Sequence, residues 1–142
     1  MRAIDDISRD VIGVAMQIHR ELGPGLLESV YEMLLAAKLG RLGYKVDRQQ
    51  PIDIEYDGMR FDAAFRIDII VDDQLIVEVK SIEQLGKVHA KQLLTYLRLT
   101  HQPVGLILNF GAETMKDGIK RLVNNYTDSA SSAPLREQFN PE

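Results

Sequence analysis

No cysteine occurs anywhere in the 142 residues. Disulfides, thiolate metal sites and a cysteine nucleophile are thereby excluded, and a cytoplasmic setting is the expectation. No apolar run approaches the roughly 18 residues that a membrane helix needs, so no membrane partner is expected. The opening MRAIDDISRD carries acids where a secretory leader would have a basic patch and an apolar stretch. Basic residues are in short supply as well. Seventeen Lys and Arg stand against 21 Asp and Glu, a formal charge of −4. That balance argues mildly against strong nonspecific binding to nucleic acid, which draws on basic surface. It does not exclude phosphate chemistry. Carboxylates clustered around a divalent cation lower the net charge, and the cation then supplies the positive charge that phosphate needs. The glycines form neither GxxxxGK[ST] nor GxGxxG, so a phosphate-cradling nucleotide loop has no support. No internal repeat is visible.

What is present is ordinary globular material, 45% apolar and 27% charged. The length suits one hydrophobic core. The reading is a single domain over 1–126 and a polar, disordered tail over 127–142, TDSASSAPLREQFNPE.

Ile4, Ile7, Val11, Val14, Ile18 and Leu22 recur every three or four residues and predict a first helix. Gly23-Pro24-Gly25 stops it. A second helix follows from about Leu26 to Leu42, with an apolar face of Leu27, Val30, Tyr31 and Leu34 widened by Leu26 and Leu35. From Lys45 the period becomes two. Val46 to Tyr56 and Phe61 to Val71 read as strands joined at an Asp57-Gly58 hairpin turn, and Leu75 to Val79 as a third, central strand. Helical spacing returns from about Glu83 to Thr100. PVGLILNF, from Pro103 to Phe110, is a short strand apolar on both faces, and residues 114–124 are predicted as a last helix. Short turns make the first three strands antiparallel, while a fourth reached through a helix runs parallel to the third. The expectation is a mixed four-stranded sheet flanked by helices, an α/β fold.

The sharpest chemical signal lies in FRIDIIVDDQLIVEVK. Residues two apart in a strand share a face, so Glu78 and Lys80 stand side by side, roughly 7 Å apart at the backbone. Ile76, Val77 and Val79 around them are apolar, and charges in such a strand are costly unless paired or bound to metal. The plain alternative, a Glu–Lys pair on a solvated face, is preferred on spacing alone. Asp68 adds weight only if it shares that face. A two-residue Asp72-Asp73 loop would pair it with Val77, on the wrong rung. A three-residue loop that includes Gln74, or one bulge, would set it opposite Glu78. Two weaker signals follow. Glu28 and Tyr31 are helical neighbours, yet an acid just inside a helix start is commonly plain surface favoured by the helix dipole. His89, Gln92 and Tyr96 share one helical face, which spacing alone assigns to a polar edge.

Taken together these strings resemble a known family. Gly25-Leu26-Leu27-Glu28-Ser29-Val30-Tyr31, then Asp68, Glu78-Val79-Lys80, Gln92-Leu93-Leu94-Thr95-Tyr96-Leu97 and Gly105 to Gly111 occur in the order of the GxxExxY family. That family is grouped with the PD-(D/E)XK nuclease superfamily. The resemblance runs from about Ile7 to Asn124. It implies a restriction-endonuclease-like core, α-β-β-β-α-β. It implies a metal-dependent nuclease cutting phosphodiester bonds of DNA, with RNA second. Asp68 and Glu78, with the carbonyl of Val79, would hold Mg²⁺ or Mn²⁺. Lys80 would orient or activate the attacking water, and Glu28 would support the metal or its water. Gln92 and, less directly, Tyr96 would position the site, with Tyr31 and His89 as further supporting residues. Hard cations do prefer such oxygen donors. A homodimer is an open partner reading, since small nucleases of this fold often span a duplex as two copies. The competing reading is a catalytically silent module that binds nucleic acid or a protein partner in a repair or defence assembly.

Overall fold

A computed structural model describes residues 2–125, so the disorder expected over 127–142 lies outside the described residues. The elements are α1 (Ile4–Leu22), α2 (Glu28–Arg41), β1 (Val46–Tyr56), β2 (Met59–Val71), β3 (Leu75–Lys80), α3 (Lys87–Thr100), β4 (Val104–Asn109), α4 (Met115–Gly118) and β5 (Ile119–Val123). The strands form one sheet in the order β1-β2-β3-β4-β5. All neighbours are antiparallel except β3 and β4, which are parallel. The helical crossover through α3 imposes that exception, as expected.

Alternation along β3 explains its central place. Leu75, Val77 and Val79 point to the face covered by α1 and α2, in a core with Ile7, Val11, Ile18, Tyr31, Leu35 and Leu39. Ile76 points to the opposite face and joins Ile67, Ile107 and the α3 residues Leu93 and Leu97. Each fully buried aliphatic side chain contributes about 1.5–3 kcal/mol, so the strand is held from both sides. α3 approaches β4 closely because residue 105 is glycine: a Cβ there would lie 3.1 Å from both Leu93 and Leu97 methyls.

Two expectations need correction. The sheet has five strands, not four, and residues 114–124 are not a helix. A four-residue helix, α4, is followed by β5 along the open edge of β4. Met115, Ile119 and Leu122 are spaced four and three apart, which mimics a helical stripe. The unpaired hydrogen-bonding edge of β4 outweighs that local preference. The second correction concerns α2. It begins at Glu28, and its buried face is Tyr31, Glu32, Leu35, Ala36 and Leu39. Leu26 and Leu27 are exposed, Leu27 by 73%. The face is rotated from the expected one, and the rotation turns a carboxylate, Glu32, inward.

Candidate active site

The site begins with a turn. Val71 pairs with Leu75, which leaves Asp72, Asp73 and Gln74 as a three-residue loop. Asp72 and Asp73 both adopt left-handed backbone, φ 53° and 56°, a region that aspartate tolerates better than most residues. The Gln74 amide closes the loop on the Val71 carbonyl at 3.0 Å. Counting back through Ile70↔Ile76 and Ile69↔Val77, Asp68 comes opposite Glu78. This is the register that a shared acidic face requires.

There the backbone ladder gives way to side chains. The Asp68 amide donates to Glu78 Oε2 at 3.1 Å, and the Val79 amide donates to Asp68 Oδ2 at 2.8 Å. Each carboxylate therefore holds the opposite strand, and each keeps a second oxygen beyond that bond. Glu78 is 6% exposed, while Asp68 and Lys80 are half-buried. Burial, and then the negative charge of Asp68, push the Glu78 carboxyl up to about 8. The Asp68 amide and the Lys80 ammonium oppose that rise, and the charge of Glu32 adds to it. Tyr96 reaches this cluster from α3. Burial, followed by the charges of Glu78 and Asp68, raises its phenol above the usual range. Its ring stacks on Phe65 with centroids 4.1 Å apart and planes 12° from parallel.

Three residues of this cluster were missed by sequence reasoning. The Glu32 carboxylate, brought inward by α2, accepts from Arg48 Nε at 3.1 Å and from Gln49 Nε2 at 2.8 Å. The same Gln49 nitrogen lies 3.3 Å from Asp68 Oδ1. Gln49 has φ 50° in the middle of β1, an uncommon conformation for such a residue. A signal for Glu32 existed, since it stands four residues after Glu28 on one helix. Nothing local marked Arg48 or Gln49.

The remaining predicted residues are placed less centrally. Glu28 is exposed at the start of α2. Its Oε2 accepts from the Ser81 amide at 3.3 Å, which sets it beside the end of β3, adjacent to Lys80. Ser81 Oγ also donates to the Leu26 carbonyl at 2.6 Å. Tyr31 is fully buried. Its hydroxyl donates to the Gly23 carbonyl at 2.6 Å and accepts from the Leu26 amide at 3.2 Å, while its ring stacks on Phe110 at 4.4 Å. It secures the Gly-Pro-Gly turn that carries Glu28 and touches neither acid of the pair. Gln92 is exposed one turn before Tyr96. His89 Nδ1 accepts from the Gly86 amide at 2.9 Å and closes the first turn of α3.

The donor set can be tested against a divalent cation. Among the described residues no three His, Asp or Glu side chains converge as a ligand group. Two adjoining carboxylates are nevertheless what Mg²⁺ commonly takes, because it retains several waters and completes its shell with substrate phosphate. Burial and the Asp68 charge oppose ionisation of Glu78, and the positive charge of a cation held by the pair would favour its carboxylate form. Asp68 and Glu78 thus fit a hard cation.

The family model of the PD-(D/E)XK nuclease superfamily matches residues 5–122. Nucleases of that superfamily generally use divalent metal ions. No curated protein and no solved structure matches the chain. Among the described residues no helix is long and apolar enough to cross a membrane. The mixed sheet, the α-β-β-β-α-β order and the matched span agree, and this chain belongs to the PD-(D/E)XK nuclease superfamily, with a restriction-endonuclease-like fold.

Proposed function

We propose that this protein is a Mg²⁺- or Mn²⁺-dependent nuclease that hydrolyses phosphodiester bonds of DNA, with RNA the second substrate. One observation carries the reading. Asp68 and Glu78 stand opposite one another on neighbouring strands and take hydrogen bonds from each other's strand, with Lys80 two residues beyond Glu78. Glu28 marks the same end of β3 through Ser81. These are the positions of the GxxExxY pattern, and that branch of the superfamily is the finer assignment we favour.

In this reading Asp68 and Glu78, with the Val79 carbonyl, would hold the cation. A cation bound there polarises the phosphoryl group and lowers the pKa of attacking water. Glu78 must first give up the proton that burial leaves on it. Lys80 Nζ orients the water and offsets charge building on the phosphate oxygens. Water oxygen bonds to phosphorus in line with the leaving oxygen and gives up a proton to solvent, the P–O ester bond breaks, and the leaving oxygen takes a proton from solvent. Tyr96 approaches the acids from α3, Gln92 lies one turn away, and Glu28 supports the water from the start of α2, beside the end of β3. We take the domain as 1–126, the setting as cytoplasmic, and two copies as the form that would cut both strands of a duplex.

The test is nicking of supercoiled plasmid, and cleavage of labelled RNA, with Mg²⁺ or Mn²⁺. Activity that needs the cation and disappears in Glu78→Gln and Lys80→Ala is expected. Intact DNA and RNA across cations and pH would end the nuclease reading. Retained nucleic-acid binding without cutting would point to the silent module.

A further inference from the structure

Three surface grooves can be compared by what their cations do. One is lined by Asp5, Ser8, Arg9, Ile12 and Arg121, and both of its arginines are spent in ion pairs, Arg9 with Asp6 and Arg121 with Asp5. Another contains Lys45 between Asp47 and Asp73, and that lysine pairs with both. The third, of about 480 Å³, lies between the start of α3 and β5 and holds Lys87, Lys91 and Lys120. All three side chains are exposed. Among the described residues none of them forms an ion pair. One carboxylate, Asp117, also lines the groove. In a chain of charge −4, three uncommitted lysines against one acid are a local reversal of sign.

The register ties this groove to the acidic site. Glu78 pairs with Ile107, and Ile107 pairs with Lys120. Residues paired in this way share a face, so Lys120 stands on the Glu78 face of the sheet. Two strand spacings separate them, roughly 10 Å. α3 lies over the rung between them, with Leu93 and Leu97 packed in one cluster with Ile107. The way from the acids to the lysines therefore passes round the beginning of α3. Lys87 and Lys91, four residues apart and so on one helical face, line that way. The segment that leads from Lys80 into α3 supplies the wall, through Gln84, Leu85 and Gly86.

We propose that Lys87, Lys91 and Lys120 bind the phosphate backbone of the nucleic-acid strand on one side of the scissile bond. The inference rests on the nuclease reading and adds where the polymer runs. Charge complementarity selects the occupant. Phosphates spaced along a strand by about 3.4 Å of axial rise bring several charges within the roughly 10 Å rung. Lysines act on phosphate as point charges without reading bases, so the groove contributes affinity that is independent of sequence.

The experiment is fluorescence anisotropy with labelled DNA and RNA duplexes of one sequence, without divalent cation, at several salt concentrations. The full chain is compared with Lys87→Gln/Lys91→Gln/Lys120→Gln. A charge-matched control, Arg20→Gln/Lys38→Gln/Arg41→Gln, alters the α1 and α2 surface. The groove variant should bind at least tenfold more weakly at low salt. Its log-affinity slope against log salt should fall by about two to three, near 0.9 per lost phosphate contact, while the control changes little. The three lysines are exposed, and a thermal melt checks the fold. Should the triple variant melt early, single substitutions carry the test, each lowering the slope by about one. Equal weakening of groove variant and control, or an unchanged groove variant, overturns this inference and leaves the nuclease reading standing. An unaltered protein that binds neither duplex also overturns this inference, while the nuclease reading stands or falls on cleavage with Mg²⁺ or Mn²⁺.

Discussion

Glu32 and Asp68, 36 residues apart in the chain, are joined by one amide nitrogen. Gln49 Nε2 donates to Glu32 Oε1 at 2.8 Å and lies 3.3 Å from Asp68 Oδ1. A half-buried carboxylate is thus aimed by a residue that itself touches no reacting atom. The cost is a left-handed backbone at Gln49, about 1 kcal/mol or slightly more for a residue with a Cβ.

Gln49→Ala should therefore lose both bonds and keep the strain. A destabilisation of about 1–3 kcal/mol is expected from the buried Glu32 Oε1 left without its donor, Oε2 keeping Arg48, read as a fall in the denaturant midpoint. Gln49→Gly should lose the same bonds but recover part of the stability, because glycine accepts φ 50° freely. A glycine variant less stable than the alanine one would contradict the strain assignment.

Glu78 gives a pH dependence with a definite sign. Its folded value, about 8, lies above its ordinary 4.5, so the folded state holds the proton more tightly. Between those values the folded chain binds more protons than the unfolded one, and stability must fall as pH rises. Without divalent cation the melting temperature should decline from pH 5 towards 8 and then level. Glu78→Gln should flatten that decline, and Mn²⁺ should lift the alkaline end in the unaltered protein. A parallel decline in Glu78→Gln would assign the effect elsewhere.

Lys80 lowers the Glu78 value by its charge. Removing it in Lys80→Met should leave Glu78 protonated to still higher pH. Cation binding, which needs the carboxylate ionised, should shift upward in pH by a measurable fraction of a unit. Mn²⁺ titration followed by electron paramagnetic resonance reads this without any cleavage assay. Asp68→Asn should remove a repelling charge, so Glu78 itself should titrate lower. Its Mn²⁺ affinity should fall all the same, for want of a ligand.

Tyr31→Phe keeps the stack on Phe110 and deletes the bonds to Gly23 and Leu26. About 1–3 kcal/mol of stability should be lost. Amide exchange should quicken at Leu26 and at Ser81, whose partners are Tyr31 and Glu28. Unchanged exchange at Leu26 would show that the turn is held by other contacts.

Much of the architecture follows from local pattern. The stripe from Ile4 to Ile18 packs as a helix, the Asp57-Gly58 turn joins two strands, and LIVEVK lies buried at the middle of the sheet. These features were legible because period, turn chemistry and apolar content act over a few residues. The sequence also posed the question of register at Asp72-Asp73-Gln74 without being able to answer it. Loop geometry and the burial of Ile69, Val71, Leu75 and Val77 on one face selected the three-residue turn. Tertiary structure alone decided three other things: the strand at 119–123, drawn to the open edge of β4; the rotation of α2 that buries Glu32; and the meeting of Glu32, Gln49 and Asp68. Each depends on groups distant in sequence competing for one partner or one face. No local propensity encodes that competition, since its outcome is set by packing and by the need to satisfy buried polar groups.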